Sequence, residues 1–118
     1  MILTLPVKRG FTFRPLIVIP KWASKTEALK VSLVAHEQTH YERQKNFFFA
    51  LWWVFRYFTS KSFRFNEEIP AFTNELRALK GLGQKPKVSD FAKTLSEQYW
   101  GACDYQTALK RLEEELRK

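Results

Sequence analysis

Residues Asn46 to Phe58 read NFFFALWWVFRYF, a run in which Arg56 is the only charge. No other stretch limits the fold as tightly. A membrane-crossing helix needs about 20 apolar residues, so this run is too short to span a bilayer. It must be wrapped by the rest of the chain or lie along a membrane or a partner. Burial is the expectation. Lys45, Arg56, Lys61 and Arg64 around the run supply what the interfacial arrangement would require.

A chain of 118 residues is expected to form a single domain, 1–118, with enough bulk to wrap such a helix. Eleven Phe, four Trp and four Tyr provide the core material, so neither disulfides nor a metal is needed simply for stability. Cys103 is the sole cysteine, which excludes an internal disulfide and fits a reducing compartment. With no histidine left over to activate it, its thiol reads as core and not as a nucleophile. The N-terminal MILTLPVKRG lacks a basic n-region and a small-residue cleavage site, so the mature chain is expected to start at Met1. The net charge of +8 favours anionic partners, yet the basic residues are dispersed and read first as a solvated surface.

The fold class expected is α+β, mainly α, with an N-terminal β-hairpin or edge strand packed on a helical core. ILTLPV and FTFRPLIVIP are β-rich and separated by KRG, with Gly10 free to take a positive φ in a short hairpin loop. Pro15 marks an edge strand or a break. A helix then begins with Ser24 or Thr26 as N-cap, and Leu29, Leu33, His36 and His40 fall on one stripe. SKSFRF reads as a connector, and NEEIPAFTNELRALKGLG as a helix ended by Gly81 or Gly83, with Pro70 in its first turn. The last region predicts two helices hinged near Gly101, the second capped by Asp104.

The apolar stripe of the first helix ends in HEQTH, which holds both histidines of the chain. At i and i+4 on a helix, His36 and His40 can offer two imidazole nitrogens to one metal ion. Glu37, one residue beyond His36, points beside that ion, where a general base can take a proton from an activated water. Two histidines hold zinc weakly, and a catalytic site usually has three protein ligands. With no histidine or second cysteine remaining, a carboxylate must complete the set, and NEEIPAF supplies Glu67 and Glu68.

HEQTHYERQ, an aromatic-rich helix and then FRFNEEIPAFTNELRAL together resemble the small zinc metallopeptidases of phages and prophages, within the zincins whose third ligand is glutamate (gluzincins). The similarity covers roughly residues 24–80. It implies a minimal zincin-like domain, Zn2+ as cofactor, His36, His40 and Glu68 as ligands, Glu37 as catalytic base and, for a phage-encoded chain, action in the cytoplasm of a bacterial host. The chain departs from the family pattern at Pro70, where a second glutamate is common, and at Phe72. Helical phase independently favours Glu68: with Phe72 at zero, Glu68 lies at about −40° on the edge of the apolar stripe, and Glu67 at about −140°, expected in solvent. Glu75, at about −60°, can support a histidine N–H.

The function expected is hydrolysis of a peptide or protein substrate, with Tyr99 or Tyr41 assisting the oxyanion. The alternative is a non-catalytic basic module, with or without zinc, that docks on a host protein, nucleic acid or membrane surface.

Overall fold

The computed structural model describes residues 2–99, 101 and 103–118. The architecture is α+β and mainly α: five helices and a small mixed sheet that packs on the first two of them. Strands β1 (Ile2–Leu5), β2 (Phe11–Phe13) and β3 (Leu16–Pro20) are ordered β1-β3-β2. LIVIP takes the centre because Ile17, Val18 and Ile19 are buried on both faces, the pattern of an interior strand.

The hairpin expected between the two N-terminal runs does not form. β1 pairs parallel with β3, Ile2 opposite Ile17, and the true hairpin joins β2 to β3, Phe13 opposite Leu16. Pro15 provides the break, with a cis bond after Arg14. The segment containing KRG therefore carries the chain from one edge of the sheet to the other. Gly10 is not among the positive-φ residues; it is required for space, since a Cβ there would lie 2.8 Å from the Val18 carbonyl oxygen.

A 3-10 turn, Lys21–Lys25, absorbs Ser24, and Thr26 caps α1 (Glu27–Gln44) by accepting from the Leu29 N–H. Asn46 caps α2 (Phe47–Thr59) and Ser60 caps α3 (Lys61–Gly81). SKSFRF is thus no connector beyond its capping Ser60: from Lys61 on it forms the first turns of α3, and Pro70 lies in the helix interior. Pro70 cannot donate to the Asn66 carbonyl, a loss that packing on both sides of α3 offsets. Helices α4 (Val88–Gln98) and α5 (Tyr105–Leu116) follow, with Gly101 at φ 71° between them and Asp104 capping α5 as expected.

Helix α3 lies between two environments. Ile69 and Phe72 pack into an apolar cluster with Ala92 and Leu95 of α4 and Ala108 and Leu112 of α5; Cys103 borders it, and burial pushes its thiol up to about 11. The opposite side faces α1 through polar side chains. A second apolar cluster, Ile17, Ile19 and Ala23 against Leu33, Val34 and Tyr41, holds α1 on the sheet.

The expected burial of the aromatic helix is not found. Only Ala50 and Trp53 of α2 are buried, whereas Phe48 is 80% exposed and Phe55 65%. With α3 already covered by α1, α4 and α5, a stripe of α2 finds partners and its other face reaches solvent. Among the described residues no helix is long and apolar enough to cross a membrane.

Candidate metal centre

Helical spacing places His36 and His40 one turn apart on the same face of α1, their rings edge to face with centroids 5.1 Å apart and both side chains buried. Helix α3 brings Glu68 across from α1, so that its Oε1 lies 3.0 Å from His36 Nε2 and 3.1 Å from His40 Nε2. Donor atoms of these three residues all lie within 4.8 Å of one another. Ligands about 2.0–2.1 Å from a tetrahedral zinc stand about 3.3 Å apart, so one ion fits with small adjustments. Two imidazoles and a carboxylate are also the donor types zinc accepts.

The surroundings orient these groups. His36 Nδ1 is 2.8 Å from Glu75 Oε1, the support expected from helical phase. His40 is fixed by packing instead: its ring meets Trp53 at 5.3 Å, and its buried Nδ1 has no hydrogen-bond partner among the described residues. Glu68 receives a further bond that the sequence did not announce, from the Tyr57 hydroxyl to Oε2 at 2.7 Å. The signal for Tyr57 lay in its spacing from Ala50 and Trp53, which places all three on the inner stripe of α2.

Electrostatics follow from this geometry. Burial lowers the His36 pKa, but the Glu68 and Glu75 carboxylates outweigh it and the net shift is well upward. Burial would raise Glu68, yet His40 and His36 hold its carboxyl far below the usual range. Tyr57 and Tyr99 are driven far upward, first by burial and then by the Glu68 charge, so both remain hydroxyl donors at neutral pH.

Glu37 stands outside the triad. The Thr12 hydroxyl of β2 donates to its Oε1 at 2.7 Å, and a Cβ on Gly10 would come within 3.2 Å of its Oε2. The carboxylate is therefore fixed against the sheet edge, beside the histidines. Both it and the triad border a cavity of about 630 Å³ lined also by residues 8–13, Trp53, Phe58 and Tyr99. Arg9 donates to Gln98 at 2.9 Å and lies over the Tyr99 ring, tying the cavity rim to α4.

Two expectations need correction. Glu67 is not in solvent: it is buried and ion-paired with Arg43 of α1. The reason is that the buried arc of α3 extends past its apolar stripe onto the polar side facing α1. Tyr41 does not line the cavity; it packs toward β3 beneath Arg14, whose guanidinium sits 4.2 Å from its ring centre. Of the two tyrosines considered, Tyr99 alone borders the cavity.

Comparison of the chain with family models, curated proteins and solved structures gives no match.

Proposed function

We propose that the protein is a zinc-dependent peptidase in which His36, His40 and Glu68 hold the metal. The observation that carries this reading is the meeting of one Glu68 oxygen with both histidine nitrogens while Glu37, excluded from that group, opens on the same cavity. Zinc bound there supplies Lewis acidity and lowers the pKa of water toward 7. Glu37 takes the proton of the attacking water as its oxygen bonds to the peptide carbon. It then delivers that proton to the nitrogen as the C–N bond breaks. The Tyr99 hydroxyl is the donor for the carbonyl oxygen.

The substrate chain is taken in extended form along β2, an edge strand. Gln44 already covers part of that edge, donating to the Thr12 carbonyl at 2.9 Å and accepting from the Arg14 N–H at 2.7 Å. The end near Gly10, bordering the cavity, is left for substrate. The single thiol is compatible with action in a reducing cytoplasm.

Zinc analysis of protein purified without an affinity tag, paired with cleavage of an unstructured protein, tests the reading. One zinc per chain is expected, with turnover that Glu37→Gln lowers by about 10² to 10⁴ while the zinc stays bound. Undiminished turnover in Glu37→Gln would remove Glu37 from the mechanism. Stoichiometric zinc without turnover over a range of substrates would favour the non-catalytic binding module.

A further inference from the structure

The outer face of α2 is apolar, aromatic and largely exposed. Phe47, Phe48, Leu51, Trp52, Phe55 and Phe58 are each 48% to 80% exposed. At 100° per residue they occupy an arc of about 140°, roughly opposite the inner stripe of Ala50, Trp53 and Tyr57. The helix thus has two apolar faces: one packs into the chain, and the other stays largely exposed, touching neighbouring elements where Phe47 meets Phe13 and Trp52 meets Phe63.

Charge around this face selects its occupant. From Arg43 to Asn66 the sequence contains no aspartate or glutamate. Lys45, Arg56 and Lys61 are exposed beside it, with Lys45 Nζ 5.2 Å from the Phe49 ring centre and the Arg56 guanidinium 5.6 Å from that of Phe63. Cations held over aromatic rings, their stems along an apolar surface, match the boundary between acyl chains and anionic headgroups. A second copy meeting this face with its own α2 would bring the same cations and, from residues 43–66, no carboxylate to pair with them, on a molecule of net charge +8. We propose that this face of α2 lies in the surface of an anionic lipid bilayer, with the helix parallel to the membrane plane.

The placement affects the cavity, because Phe58 belongs to the exposed face and also lines the cavity with Trp53, Val54 and Tyr57. Docking through α2 sets the cavity mouth beside the bilayer, within reach of chain segments at the membrane surface. The docking itself does not depend on the peptidase reading.

Co-sedimentation of the full chain with vesicles tests the proposal, comparing phosphatidylcholine alone with mixtures containing phosphatidylglycerol. Partition into the anionic vesicles is expected, with Phe48→Ser/Phe55→Ser weakening it by about tenfold or more. Both residues are exposed, so far-UV circular dichroism and thermal unfolding should match wild type and separate lost docking from lost folding. Lys45→Gln/Lys61→Gln should reduce the preference for anionic over neutral vesicles. Absence of wild-type binding at low salt, or undiminished binding by the phenylalanine variant, overturns the proposal. So does concentration-dependent dimerisation or oligonucleotide binding that this variant abolishes while vesicles remain unbound, which would assign the face to a second copy or to nucleic acid.

Discussion

At the level of single residues, the two neighbouring glutamates of α3 have separate tasks. Glu68→Ala removes the oxygen shared by both histidines and the acceptor of Tyr57, so zinc affinity should fall by more than the 10- to 100-fold typical of a supporting contact. Glu67→Ala should leave zinc binding nearly unchanged and cost stability by about 1 kcal/mol, since its partner Arg43 is 44% exposed and remains hydrated. Glu75→Gln should fall between them, weakening zinc by about 10- to 100-fold through the loosened His36 ring. Competition with a chromophoric chelator measures all three affinities; equal losses at Glu67 and Glu68 would contradict Glu68 as the proposed ligand. His36, Glu37 and His40 were legible in sequence because i, i+4 spacing on one helix sets their directions without help from the rest of the fold. Thr12 and Tyr57 were not, because each comes from a different element whose approach only packing decides.

At the level of elements, α2 and α3 show how an apolar pattern and a buried surface can differ. The two tryptophans of α2 are adjacent in sequence, yet Trp53 is buried and stacked on Tyr57 at 5.0 Å, while Trp52 is half-exposed. Trp53→Ala is therefore expected to cost about 3 to 5 kcal/mol in urea unfolding, and Trp52→Ala less than about 1.5 kcal/mol. Similar costs would mean that α2 is covered on both faces. On α3, the stripe through Ile69, Phe72 and Leu76 was visible in sequence, whereas the polar arc from Glu68 to Glu67 is buried because α1 meets it with His36, His40 and Arg43. Gln44 is fully buried and satisfies two backbone groups at the edge of the sheet. Gln44→Leu should destabilise by about 1 to 3 kcal/mol for each group left unpaired, again read from urea unfolding.

At the level of the whole molecule, a buried polar layer between α1 and α3 separates the two apolar clusters, and stability is expected to depend on pH in opposite senses without and with the proposed zinc. In chelator-treated protein, His36 contributes fully below its ordinary value of 6.5 and loses that contribution as pH rises through its raised folded pKa. Glu68 contributes fully above 4.5 and loses its share as pH falls toward its depressed pKa. The metal-free chain should therefore resist urea best between pH 4.5 and 6.5 and weaken above that window. With zinc added the slope should reverse above about pH 6, because protons no longer compete for the imidazoles. Parallel curves with and without zinc would show that the triad does not bind it. The sequence alone determined the mainly helical class, the shared face of His36 and His40, the inward phase of Glu68 and the Asp104 cap, since each follows from local periodicity or side-chain chemistry within one element. The parallel pairing of β1 with β3, the exposure of α2, the continuous helix through Pro70 and the burial of Glu67 were decided by tertiary structure. These depend on which surfaces remain after the other elements have packed, and no local pattern carries that information.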